Sequence, residues 1–112
     1  MVESPAKLDL VFRALGDGTR RGMLRRLSTR ELTVSELAEP YRMSLASASK
    51  HVKTLERAGL VTRTVRGRTH YCRINPQPLA KADAWLRAYE GLWDTRLARL
   101  AELLRHPDNI DP

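Results

Sequence analysis

The apolar positions of this chain follow a helical period almost throughout, broken by one short stretch of period two. Leu8, Val11, Phe12 and Leu15 step as i, i+3, i+4, i+7, the mark of a short amphipathic helix. Gly16-Asp17-Gly18 breaks it, and Asp17 stands where it can cap a second helix that runs to about Ser28 with Met23, Leu24 and Leu27 inward. Thr33-Val34-Ser35-Glu36 is a capping box: the Thr33 hydroxyl is placed to accept from the Glu36 N–H, and the Glu36 carboxylate to accept from the Thr33 N–H. Leu32 and Leu37 occupy the two positions of the accompanying hydrophobic staple. Pro40 stops this third helix after about two turns. Tyr41-Arg42-Met43 makes a turn, and Ser44 caps a fourth helix with Leu45, Ala48, Val52 and Leu55 on its apolar stripe. Gly59 supplies a left-handed end, with Leu60 closing the contact beyond it.

After Gly59 the period changes. Val61 to Arg66 and Thr69 to Ile74 read as strands, and Gly67-Arg68 fits a two-residue hairpin turn. Asn75-Pro76-Gln77-Pro78 is a short, stiff break. A single long stripe follows, through Leu79, Ala82, Leu86, Tyr89, Trp93, Leu97, Leu100 and Leu104, widened by Trp85, Leu92 and Leu103. That stripe is too long and too aromatic for the preceding small domain to cover, which points to the same helix of a second chain. The first six residues read as a frayed end, and residues 106–112 as a disordered tail.

The fourth helix carries the functional signal. Its outer face bears Ser47, Lys50, Lys53, Thr54 and Arg57, with Ser49 and His51 on the flanks, and no acid. Solvated helices ordinarily mix charge signs, because Glu–Lys pairs stabilise them. Small residues near the N-terminus followed by cations suit a helix that enters a major groove and meets the phosphates on its rim. The net charge of +7 over 112 residues is not spread evenly. Residues 1–41 hold seven Lys or Arg against six acids, residues 42–73 eight against one, and residues 74–112 five against six. The whole excess lies on the central third, and this favours a nucleic acid over a general solubility charge. Two short helices joined by a tight turn, the second basic outside, are the parts of a helix-turn-helix, and the hairpin behind them is a wing. Its tip arginines, Arg66 and Arg68, could reach a minor groove.

These residues resemble the ArsR (arsenical-resistance repressor) family of bacterial winged-helix regulators. The resemblance covers roughly residues 8–104 and rests on FRALGDGTRRGMLRRL (12–27), ELTVSELAEPYRMSLASASKHVKTLERAGLV (31–61) and RGRTHYCRI (66–74). It implies a homodimeric winged helix-turn-helix repressor that occupies an operator until an inducer, often a metal or metalloid, releases it. The chain departs from the metal-sensing members. Where arsenic and lead sensors carry E-L-C-V-C, this sequence has ELTVS, so Thr33 and Ser35 replace thiolates that a hydroxyl cannot imitate toward a soft metal. The long helix holds Asp83, Glu90, Asp94 and Glu102 but no His before His106, unlike the Asp/His pairs of zinc and nickel sensors. The layout is closer to the branch whose signals are not metals.

Other motifs carry less. Ser47-x-x-Lys50 matches the S-x-x-K string of penicillin-binding enzymes, without the further motifs or chain length that fold needs. His70 and Cys72 share a strand face and could form half of a metal site, or Cys72 could sense oxidant; a lone thiol there is more often inert. Trp85, Tyr89 and Trp93 could line a pocket but fit a core or interface better. One cysteine suits a reducing compartment, and no run of ~18 apolar residues or signal-peptide core is present, so a soluble cytoplasmic protein is expected.

The expectation is therefore a mainly α winged helix-turn-helix with a small β-hairpin wing, dimerising through a long C-terminal helix. Residues 7–74 form the DNA-binding core with a wing at 61–74, and residues 78–105 the dimerisation helix, all in one domain over 1–112. The expected partners are double-stranded DNA and a second copy, with no membrane, cofactor, metal or catalytic residue, and with an inducer the sequence does not name. Ser47, Lys50, His51 and Thr54 are candidates for base edges or nearby phosphates, with Ser49 beside them. Ser44, Lys53, Arg57, Arg66 and Arg68 are candidates for backbone or minor-groove contacts. Leu79, Ala82, Leu86, Tyr89, Trp93, Leu97 and Leu100 are candidates for the dimer interface. A non-specific nucleoid-type binder is the alternative on charge alone, and a protein-interaction module that kept the winged fold is a third.

Overall fold

The computed structural model describes residues 5–105. The elements run α1 (Pro5–Leu15), α2 (Gly18–Leu27), β1 (Leu32–Thr33), α3 (Val34–Ala38), a 3-10 turn (Glu39–Tyr41), α4 (Leu45–Arg57), β2 (Val61–Arg66), β3 (Thr69–Ile74) and α5 (Gln77–Arg105). They form two compact units, one ending at Ala82 and the other starting at Asp83. The expected tail at 106–112, with His106, lies outside the described residues, as does the start of the expected frayed end.

The local signals act as the sequence implies. Asp17 accepts from the Arg20 N–H at the head of α2, and the Thr33–Glu36 capping box closes in both directions at 2.9 and 3.1 Å. Ser44 caps α4 by accepting from the Ser47 N–H at 3.1 Å. At its other end, Gly59 is left-handed at φ 75°, its N–H bonds the Glu56 carbonyl and the Leu60 N–H bonds the Leu55 carbonyl. Those two bonds make a Schellman motif, with Leu60 fully buried behind it. Pro40 sits early in the 3-10 turn that tightens the end of α3, where its missing N–H leaves no bond unmade.

The sheet is larger than a hairpin. Its order is β1-β3-β2, all antiparallel, with Leu32 opposite Cys72 and Val61 opposite Ile74. Strand β1 is two residues long, too short to show a period, so only the fold reveals it. Gly67 alone takes a positive φ (63°) in the β2–β3 turn, giving the II′ geometry that suits the strand twist.

The core of the first unit joins every one of its main elements. Met23, Leu32, Leu37, Val52, Leu55, Leu60 and Cys72 are its largest wholly buried side chains, each aliphatic one contributing about 1.5–3 kcal/mol. Helix α2 and the 3-10 turn meet at Gly22, where an added Cβ would lie 2.1 Å from the Tyr41 hydroxyl. Leu45 corrects the expected stripe: it is 58% exposed, because the first residue of α4 overhangs the edge of the core. Ala82 is buried and Leu79 half-buried against this same core.

From Asp83 onward α5 presents its stripe to solvent. Trp85, Leu86, Tyr89, Leu92, Trp93, Leu97, Leu100, Leu103 and Leu104 are all between 41% and 70% exposed. The aromatic members form a ladder, with Trp85 and Tyr89 stacked at 5.0 Å and Tyr89 and Trp93 tilted at 6.4 Å. No helix among the described residues is long and apolar enough to cross a membrane.

Candidate nucleic-acid interface

Helix α4 is held by its inner face and left free on its outer one. Ala48, Val52 and Leu55 are wholly buried, whereas Ser44, Ser47, Lys50, Lys53 and Arg57 are exposed. The three cations have no acidic partner among the described residues, so their charge is available to an incoming polyanion. Ser44 and Ser47 hydroxyls bond each other at 3.0 Å at the positive end of the helix. Thr54 is partly withdrawn: its hydroxyl donates back to the Lys50 carbonyl at 3.1 Å.

His51 has the most defined environment on this face. Its Nδ1 lies 3.1 Å from Arg20 Nη1 and 3.9 Å from Asp17 Oδ2. A guanidinium only donates, so Nδ1 must accept and the proton of the neutral ring sits on Nε2. Nε2 has no partner among the described residues and is not sealed from solvent, which leaves an N–H donor directed outward. Arg20 also donates to the Ala14 and Arg13 carbonyls at 2.9 and 3.1 Å. It therefore ties the end of α1 and the start of α2 to α4. Sequence reading placed Arg20 on a solvated face. The same correction applies to Arg21, which donates to the Leu15 carbonyl at 2.7 Å, and to Arg26, which donates to the Glu36 and Leu37 carbonyls of α3. These arginines cap helix ends, and only the fold shows which carbonyls they reach. The backbone N–H of Arg20 is also the main reason the Asp17 carboxyl is held below its usual range.

The wing is braced against α4. Arg63 of β2 donates to Glu56 of α4 at 2.7 Å and lies 3.3 Å from His70 Nδ1, while its Nε is buried without a partner. Between the head of α4 and the wing lies a cleft of about 280 Å3 whose lining includes Ser35, Ser49, Arg63, Arg68 and His70. The two tip arginines differ. Arg66 bonds Glu31 at 2.6 Å and lies 4.4 Å over the Tyr71 ring, so it is drawn back onto the sheet. Arg68, exposed in the turn itself, has no partner among the described residues.

Cys72 is wholly buried at the centre of the sheet, and burial pushes its thiol up, away from the reactive thiolate. Its neighbour His70 is exposed on the wing. Among the described residues, no group of three or more His, Cys, Asp or Glu side chains is placed to hold a metal ion.

A capped, outwardly basic second helix with a braced hairpin behind it is the surface that known DNA-binding proteins of this shape present. The profile of a helix-turn-helix domain family matches residues 15–64. The crystal structure of an ArsR family transcriptional regulator, RHA00566, superposes with a TM-score of 0.77 at 41% identity, covering 84% of this chain and 97% of that one. The chain belongs to the ArsR family of transcriptional regulators.

Two curated relatives extend the likeness. The uncharacterised HTH-type transcriptional regulator YuzN of Bacillus subtilis is 42% identical over 78 residues, 63% of this chain and 85% of that protein. The transcriptional repressor SdpR of the same organism is 30% identical over 76 residues, 68% and 84% respectively. The solution structure of a homodimeric winged helix-turn-helix DNA-binding domain from Mycobacterium bovis is similar at a TM-score of 0.60 and 26% identity, covering 84% of each chain. This ArsR-family chain is thus a winged-helix transcriptional regulator and not an enzyme.

Proposed function

We propose that the protein is a cytoplasmic homodimeric repressor that recognises a two-fold symmetric operator in double-stranded DNA. The observation that carries this reading is the outer face of α4, where Ser47, Lys50, Lys53 and Arg57 are exposed and the cations lack an acidic partner among the described residues. In this reading α4 lies in the major groove. Ser47, Lys50 and the His51 Nε2 donor meet base edges, with Ser49 beside them and Thr54 a lesser contributor. Ser44, Lys53 and Arg57 hold the backbone on either side. Arg68 reaches the flanking minor groove, and Arg66 contributes only if it leaves Glu31.

Dimerisation through α5 is supported by the half-exposed apolar stripe from Leu86 to Leu104 and by the homodimeric M. bovis relative. Leu79 and Ala82 are occupied by their own core, so the interface begins at Trp85 or Leu86 and includes Tyr89, Trp93, Leu97 and Leu100. Repression is supported by the likeness to SdpR.

The test is selection of bound duplexes from a random library at near-physiological salt, with the mass of the free protein measured in parallel. An imperfect palindrome with half-sites about one turn, ~34 Å, apart and a dimer mass are the expected results. Retention with no consensus would replace this reading by the non-specific binder. A clean monomer would remove the role given to α5.

A further inference from the structure

A second concavity of the first unit lies away from the α4 face and the wing. It has a volume of about 220 Å3 and sits where α1, the end of α4 and the start of α5 meet. Leu8, Val11, Ala58 and Pro78 give it an apolar floor, and Lys7, Arg57 and Lys81 stand round it, with no carboxylate in its lining. Three cations gathered over apolar surface fit a molecule that has both an apolar body and a negative head. The volume is below the ~300–1,000 Å3 of drug-sized sites, which sets the ligand at the size of a small metabolite.

The walls are built in. Gly59 is left-handed, and a Cβ there would sit 3.5 Å from Pro78 Cγ, narrowing the space between α4 and α5. The Asn75 side-chain amide donates to the Gly59 carbonyl at 3.0 Å and its backbone N–H to the Leu60 carbonyl at 2.8 Å, fastening the approach to α5 onto the Schellman turn of α4. Arg57 belongs to both surfaces: it lines this cavity and ends the basic face of α4.

We propose that this cavity binds a small organic acid with a short apolar body, and that the bound carboxylate weakens operator binding by engaging Arg57. The coupling rests on the DNA-binding reading above; the site itself does not. A ligand that takes Arg57 from a phosphate binds the free protein more tightly than the complex, and by linkage DNA weakens the ligand by the same factor.

Calorimetric titration of the full chain with hexanoate and octanoate, with hexanol and inorganic phosphate as controls, tests the site without DNA. The carboxylates should bind, hexanol and phosphate should be at least about tenfold weaker, and Lys7→Glu and Lys81→Glu should each weaken octanoate about tenfold or more. Leu8→Trp, which fills the floor, should abolish binding; if it does not fold, the two surface variants decide alone. Absence of carboxylate binding below about 10 mM, equal binding of hexanol, or full affinity in both charge variants overturns the site. Operator affinity in saturating octanoate should fall by roughly 5–10-fold, within the usual range of coupling energies. Unchanged affinity overturns the coupling. A protein that binds no DNA under any condition overturns the regulator reading instead, and leaves the titration to judge the cavity.

Discussion

Helix α2 and helix α4 are both rich in cations, and they use them in opposite ways. On α2, Arg20, Arg21 and Arg26 donate to main-chain carbonyls at the ends of α1 and α3, and Arg20 also reaches His51. On α4, Lys50, Lys53 and Arg57 meet no acid among the described residues. The difference follows from what surrounds each helix. The C-terminal carbonyls of α1 and α3 lie within reach of α2 and need donors, whereas the outer face of α4 looks onto water. A guanidinium fork suits the first task, since it can bond several carbonyls at once. Formal charge alone therefore overstates the footprint available to DNA, and the partners decide how much of it remains.

The comparison can be broken most forcefully by reversing charge on α4. The double substitution Lys50→Glu, Lys53→Glu should weaken operator binding by at least about 100-fold and change unfolding free energy by less than about 0.5 kcal/mol. Equal loss of stability would mean that these lysines brace the fold as the α2 arginines do. Arg20→Ala should show the reverse pattern, losing about 2 kcal/mol in urea unfolding as its bonds to Ala14, Arg13 and His51 disappear. A stability change within error would return Arg20 to the solvated face. Thr33→Ala removes half of the capping box and should cost about 1 kcal/mol, with DNA contacts untouched. Arg68→Ala should be smallest: a several-fold loss of affinity, with the salt slope reduced by about one, and no change in stability.

Acid sharpens the same contrast. The Arg20 N–H holds Asp17 below its ordinary 3.8, and Thr33 holds Glu36 below its ordinary 4.5. Both folded values are depressed, so their stabilisation is complete above the unfolded values and is lost as pH falls through them toward the folded ones. The urea midpoint should be flat from neutral pH to about 5 and decline below about 4.5. Asp17→Asn should flatten part of that decline, and an unaltered profile would remove Asp17 from the account.

Much of the molecule was readable along the chain because its signals are local. The caps at Asp17, Thr33 and Ser44, the left-handed Gly59 and the Gly67-Arg68 turn each act within about six residues, and all five form. The outward set of α4 was legible too, since helical period alone separates Lys50 and Lys53 from Val52 and Leu55. What lay beyond reach were the choices made between distant residues. Arg20 meets His51 from 31 positions away, and Arg66 bonds Glu31 from 35 away. Strand β1 exists only because β3 is beside it, and Cys72 is inert only because two strands flank it. The sequence by itself determined the elements, their ends and the face of α4 that is basic, because each depends on periodicity or on hydrogen bonds to near neighbours. Only the tertiary structure decided which cations remain free for DNA, since long flexible side chains bond whichever acceptor folding brings within about 3 Å.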